Sequence, residues 1–115
     1  MRTVRLYRPV GPADLEKIAE ASYRAFPPRL EGQPYFYPVL HRAYAEQIAR
    51  DWNVRESGSG YVTEFDVEAE FVERYEVRVV GQSGLHEELW VPADDLEEFN
   101  RHLVGEIRVV AEFRG

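Results

Sequence analysis

The sequence predicts an α+β domain. Three observations point that way: apolar residues recur at helical spacing in three stretches, five others read as short strands, and the two kinds do not alternate strictly. The predicted order is β-α-α-β-β-β-α-β, which suits a compact single domain over residues 1–115 with a mainly antiparallel or mixed sheet rather than a doubly wound parallel one.

The first strand spans Thr3 to Val10, where Val4, Leu6, Tyr7 and Val10 are interleaved with Arg5 and Arg8, and Pro9 and Gly11-Pro12 close it. Pro12 suits the first turn of a helix and Asp14 complements its dipole. Leu15, Ile18, Ala19, Ser22, Ala25 and Phe26 then carry helix one to Phe26, where Pro27-Pro28 stops it. A loop from Pro27 to Pro34 delivers the aromatic run Tyr35-Phe36-Tyr37. Leu40, Tyr44, Ala45, Ile48, Ala49 and Trp52 mark a second amphipathic helix, closed near Asn53 before Glu56-Ser57-Gly58-Ser59-Gly60. From Tyr61 the period becomes two. Tyr61, Thr63, Phe65 and Val67 share one face and Glu64 and Asp66 the other, with a second strand at Tyr75 to Val79. Glu87 to Val91 forms the next strand, Pro92-Ala93-Asp94-Asp95 opens a third helix with Leu96, Phe99 and Leu103 inward, and the last strand is Ile107 to Phe113.

With 115 residues, 44% of them apolar, the chain can bury one continuous core without staples. It has no cysteine, which excludes disulfides, thiolate metal sites and a cysteine nucleophile. The first residues place arginines inside their only apolar stretch, so neither a signal peptide nor a membrane span is expected, and a cytoplasmic location follows as the default. The formal net charge of −7 and the absence of a basic run argue against a nucleic-acid partner. All the basic residues except Lys17 are arginine.

No P-loop, Gly-x-Gly-x-x-Gly, Gly-x-Ser-x-Gly or His-Glu-x-x-His motif is present. His41, His86 and His102 are spaced in a way that suggests no metal site, and no metal is expected. The acids Asp94, Asp95, Glu97 and Glu98 suit a helix start and a solvated face. Glu68, Glu70 and Glu73 suit the wet side of a connection. Glu87 and Glu88 differ, because neighbours on a strand point to opposite faces: Glu87 shares a face with Leu89 and Val91, and Glu88 shares one with Trp90. A carboxylate beside a large aromatic near a turn can stabilise a developing positive charge. An edge-strand solubility role for both glutamates stands open beside that reading.

Several segments, Leu6-Tyr7-Arg8-Pro9-Val10-Gly11, Ala25-Phe26-Pro27-Pro28-Arg29, Phe36-Tyr37-Pro38-Val39-Leu40, Ile48-Ala49-Arg50-Asp51-Trp52-Asn53, Gly60-Tyr61-Val62-Thr63 and Trp90-Val91-Pro92-Ala93, resemble a family of small bacterial proteins described as ADP-ribosylation/crystallin-like. The order of residue types also resembles, more distantly, the ADP-ribosyltransferase core. Arg8 in Leu-Tyr-Arg matches the first-strand arginine, Tyr37 the middle aromatic segment, and Glu88 the late glutamate. The sequence departs from that core in two places: no Ser-Thr-Ser segment precedes the second helix, and His86 stands where an acidic residue often precedes the late glutamate by two positions.

The resemblance implies an ADP-ribosyltransferase-like fold that binds NAD and transfers ADP-ribose or hydrolyses NAD. Arg8, Tyr37 and His86 would contact the dinucleotide, Glu88 would be the catalytic residue, and a protein would be among the acceptors. The alternative is a non-catalytic interaction module, including a homodimer, that uses the Tyr35-Phe36-Tyr37 surface.

Overall fold

The computed structural model describes residues 1–115 as an α+β domain whose strands form two small antiparallel sheets. Strand β1 (Thr3–Val10) leads into helix α1 (Pro12–Glu20), and β2 (Tyr35–Phe36) follows a long loop. Helix α2 (Arg42–Ile48) runs through a π turn (Ala49–Asn53) into α3 (Val54–Ser57). Next come β3 (Ser59–Glu68), the single turn α4 (Ala69–Val72), β4 (Glu76–Val79) and β5 (Glu87–Pro92). A 3₁₀ turn (Ala93–Asp95), α5 (Leu96–Arg101) and β6 (Leu103–Arg114) complete the chain.

One sheet has the order β1-β3-β6 and the other β2-β5-β4. The central strand β3 pairs Phe65 with Leu6 and Thr63 with Arg8, so the predicted inner set of Tyr61, Thr63, Phe65 and Val67 shares its face with Val4, Leu6, Arg8 and Val10. This face meets the principal core, in which Phe36, Phe65 and Phe99 pack edge to face around Leu6 and Leu89. Burying one such aromatic contributes roughly 1.5–3 kcal/mol. The opposite face holds Val62 against Val39, Ala45 and Ala49, where small side chains let the helix approach closely. Gly60 is required there, since a Cβ at that position would lie 2.3 Å from the Ala49 carbonyl oxygen.

Val39 joins the two sheets. Its N–H donates to the Tyr7 carbonyl at 2.7 Å, its carbonyl accepts from Tyr7 at 2.9 Å, and it bridges Glu88 on its other side. In an antiparallel ladder the next rung beyond Tyr7 and Val39 would pair Pro9 with Tyr37. Pro9 has no N–H to give to that rung, and Tyr7 and Val39 form an isolated bridge beside which the two sheets part.

Four expected boundaries are corrected. Helix one ends at Glu20 rather than Phe26: Ser22 and Tyr23 take left-handed conformations, the Tyr23 carbonyl accepts from Ile107 N–H, and Asn100 clamps the backbone N–H and carbonyl of Phe26. The second helix continues past Asn53 to Ser57 through its π turn. The third helical segment begins as a 3₁₀ turn at Ala93 and stops at Arg101, so Leu103 belongs to the last strand, which starts four residues before Ile107. The acidic connection after β3 is partly helical, with Ala69, Phe71 and Val72 buried while Glu70 and Glu73 face solvent.

Candidate functional site

Where the sheets part, a cleft of about 340 Å³ opens. Arg8, Tyr37 and Glu88 all line it, together with Asp14, Arg29 and Asn53. The seam at Val39 explains the convergence. Arg8 follows Tyr7 on β1, Tyr37 lies two residues before Val39, and Glu88 is the residue that Val39 bridges on β5. Three residues far apart in sequence therefore border one gap.

Arg8 rises from the inner face of the β1-β3-β6 sheet, and its guanidinium carbon lies 4.6 Å above the centre of the Phe36 ring. Its backbone carbonyl accepts the Thr63 hydroxyl at 2.8 Å, fixing the strand beneath it. The Arg8 residue is half-buried and lines the cleft. Burial and the neighbouring Arg29 push its pKa down to about 10, while Asp14 opposes them. It remains a cation at neutral pH, and it has no carboxylate within ion-pairing distance.

Glu88 occupies the other side. Tyr44 O–H donates to its Oε2 at 2.8 Å, and Trp90 Nε1–H reaches its Oε1 at 3.3 Å. Both oxygens are thus oriented by neutral donors. Burial and the hydrogen bond to Glu88 push the Tyr44 phenol up to about 12, so it stays a donor throughout the physiological range. Tyr37 packs edge-on against Trp90 with ring centres 4.9 Å apart, and Tyr35 lies against both rings. The result is an aromatic wall beside the carboxylate.

The other members of the acidic strand stand elsewhere. Glu87 faces away from Glu88, as strand alternation requires; His41 Nε2 lies 2.8 Å from its Oε1, and Gly84 N–H donates to its Oε2. Those two contacts hold the Glu87 carboxyl below the usual carboxylate range. His86 is not among the residues lining the cleft. Its Nδ1 accepts the Gln82 backbone N–H, which leaves Nε2 to donate to Gln47 Oε1 at 3.0 Å, and the ring meets Tyr44 edge-on. It buttresses Tyr44 from behind. In the aromatic run, Phe36 turns into the core at 1% exposure, so only Tyr35 and Tyr37 remain at the surface.

Sequence reasoning did not single out Arg29 or Tyr44 as parts of the site. Arg29 was within sight, since it follows Pro27-Pro28 in the loop that precedes the aromatic run. Tyr44 read as a member of an apolar face, and nothing in its spacing reveals that its hydroxyl meets Glu88; Trp90 was already expected on the Glu88 face, and its indole N–H does reach that carboxylate.

The sequence matches no family model, and no curated protein or solved structure matches it either. No helix is long and apolar enough to cross a membrane.

Proposed function

We propose that this chain binds NAD and breaks its nicotinamide–ribose bond, passing ADP-ribose to water or to a nucleophile on another molecule. The observation that carries the reading is the shared cleft of Arg8, Tyr37 and Glu88. Its charges are separated: an unpaired cationic side chain on one side, a carboxylate held only by neutral donors on the other. Oxidised NAD has the same pattern, with a cationic nicotinamide ring at one end and an anionic diphosphate in the middle.

In this reading Arg8 makes charge-assisted hydrogen bonds to the diphosphate, and Tyr37 stacks on the nicotinamide. Glu88 accepts from a ribose hydroxyl. As the C1′–N bond breaks, its electron pair leaves with nicotinamide and positive charge develops on the ribose ring. The Glu88 carboxylate, already oriented by Tyr44 and Trp90, stabilises that charge without reorganising. Attack of an acceptor oxygen or nitrogen at C1′ and loss of its proton complete the transfer.

The experiment is nicotinamide release from NAD by wild type and Glu88→Gln. Loss of the charge is expected to slow release by about 10²–10³-fold while the melting temperature changes little. A wild type that neither binds NAD nor releases nicotinamide overturns the reading, and an equally active Glu88→Gln removes Glu88 from the chemistry.

A further inference from the structure

Beside the cleft, and sharing Arg8, Asp14 and Arg29 with it, lies a smaller cavity of about 70 Å³ between α1 and the loop that carries Arg29. Arg8, Arg29 and Lys17 line it, against a single carboxylate, Asp14. Asp14 is close enough to favour the charged form of Arg8 but does not reach ion-pairing distance. Arg29 spends one N–H on the chain, donating from Nε to the Tyr35 carbonyl at 3.0 Å. That bond fixes the guanidinium plane and leaves its terminal N–H groups unused.

Two half-buried arginines side by side, neither ion-paired to a carboxylate, are unexpected in a chain of 21 acidic and 14 basic residues. Elsewhere in the molecule arginines find carboxylates readily, as Arg5 does with Asp66, Arg74 with Glu98 and Arg108 with Glu64. Mutual repulsion of Arg8 and Arg29 in a partly desolvated place is costly unless an anion enters. The cavity is small, and its size suits one compact anion.

We infer that this cavity is an oxyanion site that takes a single tetrahedral phosphate, held by the terminal N–H groups of Arg29 and the guanidinium of Arg8, with Lys17 at the rim. The ligand class is a phosphate monoester, whose phosphate fills the cavity while its organic part extends into the larger cleft. Planar guanidinium forks match phosphate oxygens in pairs. Asp14 lines the same cavity and leaves the three cationic side chains in excess there. The site stands whether or not Glu88 performs chemistry.

Calorimetric titration of wild type, Arg29→Gln and Arg8→Gln with inorganic phosphate, adenosine monophosphate and adenosine tests this. Phosphate and the monophosphate are expected to bind wild type and compete with each other, with adenosine much weaker. Either substitution should weaken the monophosphate tenfold or more. Glu88→Gln should bind phosphate as wild type does, whatever becomes of nicotinamide release. Arg29→Lys keeps the charge, reports on folding, and should bind more tightly than Arg29→Gln. Failure of phosphate and the monophosphate to bind wild type overturns the site, as does equal binding by wild type and both glutamine variants.

Discussion

On the outer face of the β1-β3-β6 sheet, Arg5 donates to Asp66 at 3.0 Å, and Arg108 reaches both Glu64 at 3.0 Å and Asp66 at 3.3 Å. On the inner face of the same sheet, three residues along the same strand, Arg8 lies over Phe36 with no carboxylate partner. The carboxylates differ in the same sense. Two arginines hold the Asp66 carboxyl below its ordinary value, whereas Glu88 is held by a phenol and an indole. The outer face cancels its charges internally and is finished as a piece of structure. In the cleft, charges of both signs are oriented by neutral neighbours and left uncancelled, the arrangement expected where a ligand supplies the missing partners.

Substitutions on the two faces should therefore act in opposite directions. Arg8→Met is expected to show the largest effect. It removes an unpaired, partly desolvated charge and keeps an apolar stem over Phe36, so stability should rise by about 1.5 kcal/mol in urea unfolding while phosphate binding is lost. A comparable fall in stability would place Arg8 with the structural arginines and erase the contrast.

Tyr44→Phe comes next. Removing the donor to Glu88 should cost about 1 kcal/mol at neutral pH. The Tyr44 pKa is raised on folding, so its contribution is full below the unfolded value near 10 and is lost as pH rises through about 12. Tyr75, whose phenol is raised by burial and its bond to Asp95, adds to the same alkaline loss. Melting temperatures measured from pH 9 to 12 should fall less steeply in the variant. An unchanged slope would show that the phenol does not hold Glu88 in solution.

Asp66→Asn should have the smallest effect, a loss of roughly 0.5 kcal/mol, because exposed ion pairs are weak. Salt should diminish it further. The depressed pKa of Asp66 means that its contribution is present above the ordinary value of 3.8 and disappears as pH falls through the lower folded value. Acid unfolding curves of the variant should lack that component. A loss several times larger would show that the outer network is more than a surface pairing.

Much of the fold was legible because strands with one buried face announce themselves. The alternation of Tyr61, Thr63, Phe65 and Val67 gave the correct inner face of β3, and the parity of Glu87 and Glu88 gave their opposite directions. The end of helix one was not legible, because Asn100 and Ile107 decide it from far along the chain. Helical spacing continues through Ser22 and Ala25, and tertiary hydrogen bonds override it. The π turn was hidden for the same reason, since it packs beside Gly60. For the candidate site, Arg8, Tyr37 and Glu88 were expected from the resemblance to the ADP-ribosyltransferase core, with strand parity adding only that Glu88 lies beside Trp90. Their common cleft depends on two hydrogen bonds at Val39, and Arg29 enters only because the loop folds back beside β1.

The proline at position 9 has a final consequence. A cleft beside a rung that lacks its N–H needs no lid to lift and no occupant to prop it apart. A ligand should enter such a cleft without a slow conformational step and leave the backbone almost where it was. Restoring a donor with Pro9→Ala would offer Tyr37 the rung it now lacks, and the molecule could then zip its own binding site shut.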